Sequence, residues 1–153
     1  MSSVGPWESV GGDIKFLRLK QLDAGGIVTD GSVRDTDELI NYGFPVFSHS
    51  TTPKQGPASM QPWECNGVVA CGGVVVRPGD VIVGDQDGVV VVPAAAASQV
   101  YDIAHGREVI EDVIKTELTE NPGKLFVLSL QLYYILQSYL NIYLHDFLFS
   151  PVV

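Results

Sequence analysis

A chain of 153 residues is a one-domain length, and its formal charge of −9 argues against a nucleic-acid partner, because phosphate binding needs clustered Lys and Arg. Cys65 and Cys71 form a C-x5-C pair with no second pair and no nearby His, which does not suit zinc; both read as buried free thiols of a reducing compartment. Met1 to Trp7 has neither a basic start nor an apolar run, so no secretory leader is expected, and the expected location is cytoplasmic.

In chain order, Asp13 to Leu22 is predicted as a helix, with Ile14, Leu17 and Phe16 as apolar positions and Lys15, Arg18 and Lys20 on the wet side. Gly25-Gly26 breaks it, and Ile27-Val28-Thr29 is a short strand ending at the turn pair Asp30-Gly31. A second helix, from about Thr36 to Tyr42, stops at Gly43 in a left-handed cap position. Phe44 to His49 reads as a strand and residues 51–57 as a loop. Strands follow at 67–76, 81–84 and 89–92, separated by turns at 77–80 and 85–88 and closed by Pro93. Gly72-Gly73, inside the first of these runs, is taken to mark a bulge or a close backbone approach. A long helix from about Ala95 to Glu120 carries Val109, Ile110, Val113, Ile114 and Leu118 as a core stripe. The pattern predicts an α+β domain, a two-sheet sandwich or a small barrel of valine-rich strands flanked by helices. No G-x-G-x-x-G opens a helix after a strand and no G-x-S-x-G occurs, so neither a dinucleotide site nor a nucleophile elbow is expected.

Composition changes at Lys124. All nine Lys and Arg and all 16 Gly lie at or before it, and Leu125 to His145 contains no charged residue. The boundary proposed is 1–122 for the domain and 123–153 for an apolar, helical tail. Three readings of the tail stand side by side: a membrane-spanning helix, a buried helix, or a segment foreign to the domain through a frameshift or a retained intron. Ser129, Gln131, Gln137, Ser138 and Asn141, with no basic anchor beyond them, disfavour the membrane.

The chemistry concentrates between Gly12 and Glu38. Gly12-Asp13-Ile14-Lys15 opens a helix, whose free amides and positive dipole end suit a carboxylate. Arg34 offers a two-pronged fork for the same kind of anion. Asp35, with Asp13 and Glu38 possible neighbours, supplies hard oxygens of the type Mg²⁺ or Mn²⁺ prefers. Together they would grip a 2-oxo acid and stabilise its enolate. Taken alone, Asp35-x-x-Glu38 also reads as a helix-capping pair, a use compatible with metal binding. His49, His105 and His145 have no partners at ligand spacing, and Lys54 reads as a solvated loop residue.

These residues resemble the RraA-like, class II pyruvate aldolase family. Its signature is a Gly, then some twenty residues on an Arg-Asp, two further residues and an acid. Here 21 residues separate Gly12 from Arg34-Asp35-Thr36-Asp37-Glu38. Gly43-Phe44-Pro45-Val46-Phe47, Thr52-Pro53 and the run from Val76 to Pro93 look like later blocks of the family, so the likeness covers roughly 110 of the 153 residues.

The resemblance implies a swivelling-type α/β/β domain and homo-oligomers, trimers or hexamers, with the site at a subunit interface. It implies metal-dependent cleavage of 4-hydroxy-2-oxo acids to pyruvate, with oxaloacetate decarboxylation beside it. Residue by residue, Gly12, Asp13, Ile14 and Lys15 would be the substrate loop, with the amides of Ile14 and Lys15 on the carboxylate. Arg34 would bind substrate, Asp35 would ligate Mg²⁺ or Mn²⁺ directly, and Asp13 and Glu38 would hold the cation through water. Family members carry several tens of residues before this loop, so the domain is expected to be incomplete at its N-terminus, and no residue of the tail is assigned to the site. The rival expectations are a non-catalytic binding protein, like the branch named for regulating ribonuclease E, and an inactive fragment.

Overall fold

Gly12 adopts extended backbone (φ −142°, ψ −162°) and starts α1, Asp13–Gln21. Phe16 and Leu19, three apart, turn inward with the Gly12 edge; Phe16 is fully buried, whereas Ile14 is 79% exposed. Of the three apolar positions expected, Ile14, Leu17 and Phe16, only Phe16 is buried, and it packs with Val10, Val33 and Phe44 in the core. The structure, a computed structural model, describes residues 5–122 and 150–151.

Strand β1, Ile27–Val33, runs straight through Asp30-Gly31, where a turn was expected. Thr29 pairs with Ser48 and Ser32 with Ser50, so β1 holds one residue more than its partner, and Asp30-Gly31 forms a bulge within the strand. Helix α2, Thr36–Tyr42, ends as predicted at Gly43 (φ 58°, ψ 37°) and returns the chain to β2, Val46–Thr51. The β1 and β2 strands are parallel, as a helical crossover allows. At the other edge of β1, residues 8–11 run alongside it: Val10 N–H donates to Ser32 O (2.9 Å), Ser32 N–H to Glu8 O (3.0 Å) and Arg34 N–H to Gly11 O (3.1 Å). Val10, Phe16, Val33, Leu39, Phe44 and Val46 make the main core between sheet and helices, with the Phe16 and Phe44 rings stacked at 6.3 Å.

Two hairpins follow. β3, Val69–Cys71, and β4, Val74–Val76, turn through Gly72 (φ 61°) and Gly73 (φ 86°). Two successive positive φ angles are what a tight two-residue hairpin turn requires, so this pair is a turn and not a bulge in one long strand. β5, Val81–Gly84, pairs with β6, Val89–Val92, at the predicted bounds. Gly84 admits the Phe47 ring, since a Cβ there would come within 2.7 Å of it. Ile27, Phe47, Val69, Cys71, Ile82 and Val89 line a largely apolar cavity of about 570 Å³. Cys71 is buried, and burial pushes its thiol pKa up; Cys65, expected to be buried too, is exposed because it stands in an irregular segment before β3.

Helix α3, Ala97–Glu120, belongs to a second compact unit, apart from the one that holds everything up to Ala94. It has no buried residue, and Val109 and Val113 of the expected core stripe are 53% and 60% exposed. Helical spacing tells which side chains share a face; it does not supply the surface they pack on. The expected tail helix lies outside the described residues, of which only Ser150–Pro151 belong to the tail; this short β7 pairs antiparallel with β2. The described residues mix helices with strands in three separate sheets, and no barrel closes among them.

Removing the Phe16 ring empties the middle of the core. Phe16→Ala is expected to lower unfolding free energy by about 3–5 kcal/mol, against about 0.5 kcal/mol or less for Ile14→Ala. Urea denaturation of the two variants checks this, and equal losses would contradict the orientation of α1.

Candidate functional site

Arg34 and Asp35 leave the C-terminal end of β1 and lead into α2, where open α/β sheets commonly bind ligands. Asp35 is in the left-handed region (φ 59°, ψ 40°), a conformation that Asp tolerates better than most residues. It occupies the N-cap position of α2, yet its side chain makes no capping bond there. The backbone alone closes the first turn, through Glu38 N–H and Leu39 N–H to Asp35 O at 3.1 and 3.2 Å. The expected reciprocal cap with Glu38 therefore does not form. The left-handed backbone swings the carboxylate toward the other helix start, where Oδ2 accepts from Asp13 N–H at 3.2 Å.

This contact depends on Gly12. A Cβ at that position would stand 2.0 Å from Asp35 Oδ2 and 2.8 Å from Arg34 Cγ. The two segments that the sequence singled out thus meet at one place. Arg34 Nε lies 3.5 Å from Asp35 Oδ2, and Arg34 Nη1 donates to Ser9 Oγ at 3.2 Å. The first amides of a helix have no acceptor within it; that of Asp13 is taken by Asp35, which leaves those of Ile14 and Lys15 at the open end. The Lys15 ammonium turns away to the Val10 carbonyl (2.5 Å), and the Ile14 side chain points to solvent. The guanidinium and carboxylate are about one third exposed, 32% for Arg34 and 40% for Asp35, so the site is open on one side.

Glu38 and Tyr42 lie four apart on α2 and share a face. Partial burial raises the Tyr42 hydroxyl pKa, and the negative charges of Asp13, Glu38 and Asp35 raise it further. Among the described residues no group of three or more His, Cys, Asp or Glu side chains converges closely enough to hold a metal by itself. His49 is an exposed position of β2, His105 is stacked on Tyr101 of α3, and His145 lies outside the described residues. Lys54 is not a free loop cation: it pairs with Glu8, which the sequence did not single out. Ser9 was missed as well, since no motif marks it and only the folded chain shows it buried against Arg34.

A family model described as RraA-like, Aldolase/RraA, matches residues 5–91, more than half of the chain. The chain belongs to the RraA-like family. Among its relatives, the "Putative 4-hydroxy-4-methyl-2-oxoglutarate aldolase" of Halalkalibacterium halodurans is 32% identical over 117 residues, 74% of this chain and 53% of that protein. Among solved structures, a protein from Pseudomonas syringae pv. tomato superposes with a TM-score of 0.74 at 27% identity, over 84% of this chain and 62% of that one. Streptomyces coelicolor RraAS2, an unusual member of the RNase ES inhibitor RraA protein family, gives 0.65 at 33% identity, over 74% of this chain and 61% of that one. This RraA-like chain spans about half to three fifths of the length of the curated relatives it matches. No helix among the described residues is long and apolar enough to cross a membrane.

Two expectations follow from the geometry. Gly12→Ala drives a methyl into the Asp35 carboxylate and is expected to cost about 1–3 kcal/mol of stability through overpacking, and to move Asp35 off the α1 amides. Chemical denaturation, with the Asp13 amide shift by NMR, checks both effects; an unshifted amide would show that the close approach is not needed. Separately, the hydrogen bond from Lys54 lowers the Glu8 carboxyl pKa below its ordinary 4.5, against the upward push of burial and with help from Ser59 and the Lys54 charge. A depressed folded-state pKa gives stability that is complete above pH 4.5 and is lost as the pH falls through the folded value. Urea midpoints measured on descending pH should therefore fall more steeply for the parent chain than for Glu8→Gln; parallel curves would refute the pairing.

Proposed function

We propose that the chain is a divalent-metal-dependent lyase of 2-oxo acids, cleaving a 4-hydroxy-2-oxo acid to pyruvate, with oxaloacetate decarboxylation as a second activity. One observation carries the reading: the Arg34 guanidinium, the opening amides of α1 and the Asp35 carboxylate meet at a single open site. Cation and amides suit the carboxylate of a 2-oxo acid, and the Asp35 carboxylate beside them would suit a divalent cation. The name of the Halalkalibacterium halodurans relative supports this substrate class.

Among the described residues no three acids converge to enclose an ion, so the fit rests on one direct carboxylate, Asp35, at the open site, with the rest of the shell supplied by water and substrate, as suits Mg²⁺, which keeps most of its hydration. Asp35 would hold the ion directly, with Asp13 and Glu38 behind water. When bound, Mg²⁺ or Mn²⁺ would act as a Lewis acid toward the 2-oxo group.

The chain's own part is to orient and to stabilise charge. Arg34 and the amides of Ile14 and Lys15 fix the substrate carboxylate in the plane of the 2-oxo group. Cleavage breaks the C3–C4 bond, its electron pair moves into the C2 carbonyl as an enolate, and the C4 hydroxyl gives up its proton to leave as an aldehyde or ketone. Protonation of the enolate at C3 yields pyruvate. In oxaloacetate the same bond releases CO₂ and the same enolate follows, so one site serves both reactions. A trimer or hexamer would cover the open side of the site, and we propose a homo-oligomer on that ground.

The likeness to RraAS2 favours a second reading, a binding protein that inhibits an enzyme. The Asp35 carboxylate set beside the Arg34 guanidinium and the α1 amides weighs against it, since inhibition by surface contact gives such an arrangement no task.

Pyruvate release from oxaloacetate in the presence of Mg²⁺ or Mn²⁺, abolished by a chelator, is the expected result. Asp35→Asn keeps an acceptor for the Asp13 amide and tolerates left-handed backbone, so it should fold normally and lose turnover. With Arg34 about one third exposed (32%), Arg34→Ala should raise KM by about 10–100-fold, the equivalent of roughly 1.5–3 kcal/mol for a charge-assisted pair. Metal-independent turnover, or full activity in Asp35→Asn, would sink the mechanism.

A further inference from the structure

We infer that Ser9 is a positioning residue for Arg34, aiming the end of its guanidinium at the substrate carboxylate. The inference rests on the anion-clamp part of the proposed function. Ser9 is fully buried. Its Oγ donates to Gly11 O at 2.9 Å and accepts from Arg34 Nη1 at 3.2 Å, so the hydroxyl proton is committed and a lone pair faces the guanidinium. The Gly11 carbonyl also accepts from Arg34 N–H at 3.1 Å, so backbone and side chain of Arg34 are referred to one short segment.

The guanidinium has five N–H groups in a rigid plane. Nε lies 3.5 Å from Asp35 Oδ2, an ion pair without a defined hydrogen bond, and Nη1 donates one hydrogen to Ser9 Oγ. The Ser9 bond is thus the directional contact that restrains rotation of the plane. The second Nη1 hydrogen and both Nη2 hydrogens have no partner among the described residues, so three donors of the fork stay available to a carboxylate. Without Ser9 the guanidinium keeps its charge and its Asp35 contact but can rotate about its long stem. An ordinary buried serine would only satisfy its own hydroxyl. Here the second lone-pair contact is spent on the one side chain that must be aimed.

The test is a double-mutant cycle in the full chain, with oxalate as a planar mimic of a 2-oxo acid enolate, measured by calorimetry in Mg²⁺ buffer beside oxaloacetate turnover. Ser9→Ala should weaken oxalate binding about tenfold and raise KM by a similar factor with kcat within about twofold, because Arg34 holds ground state and transition state alike. In an Arg34→Ala background Ser9→Ala should change oxalate affinity by less than twofold. Ser9→Cys, nearly isosteric but a weak acceptor, should repeat the loss, and it replaces Ser9→Ala in the cycle if the alanine variant does not fold. Equal losses with and without Arg34 would show a merely structural role and overturn the inference, as would unchanged oxalate affinity in both Ser9 variants. Oxalate binding that follows the cycle without any turnover by the parent chain would reject the lyase and leave Ser9 in place. A parent chain that does not bind oxalate would reject both.

Discussion

The hydrogen bond from the Asp13 amide to the Asp35 carboxylate joins two helix starts that are far apart in sequence, and the site exists only where they meet. Its strength is not the point. A part-exposed charge-assisted bond contributes about 1.5–3 kcal/mol at best, and left-handed backbone at a non-glycine residue costs about 1–3 kcal/mol, so the two nearly offset. What the contact sets is direction. A carboxylate that would ordinarily fold back over its own helix is turned outward, across the one residue in its path that has no side chain.

Buried neighbours hold that strained corner. Val33, immediately before Arg34, and Leu39, one turn into α2, are both buried in the main core, so the corner is fixed at each end by apolar packing. Phe16 does the same for α1 from below, stacked on Phe44 at the entrance to β2. Polar groups at the rim can then stay part-exposed without becoming loose. Rigid anchors beneath a wet edge keep a cation, two amides and an acid in fixed relation to one another.

Several of these features were legible in the sequence because they depend on local chemistry. Gly43 and the Asp85–Gly88 turn require particular backbone angles or side-chain bonds, and α2 and the β5–β6 hairpin fall where predicted. No local rule links residues 22 apart, so the pairing of Gly12 with Arg34-Asp35 was legible through their shared chemistry and the family's block pattern rather than through backbone propensity. Other features depend on partners that a single pass along the chain does not reveal. The apolar face of α1 turned on where the sheet lay, so Phe16 and not Ile14 went inward. Asp30-Gly31 carries turn chemistry, but its neighbours found a strand to pair with on both sides and absorbed it as a bulge. Ser9 has no signature at all: a buried hydroxyl acquires meaning from what it touches.

The short run of residues 8–11 beside β1 has a consequence for motion. Each of its three rungs to the strand is a backbone bond, the last of them made by Arg34 itself, and Ser9 hangs from the same run. If this flap of chain peels away from the sheet, the guanidinium loses both its backbone tether and its hydroxyl brace in one event. Local breathing at this edge of β1 and the aim of the Arg34 guanidinium are therefore not independent quantities: whatever quiets the first steadies the second.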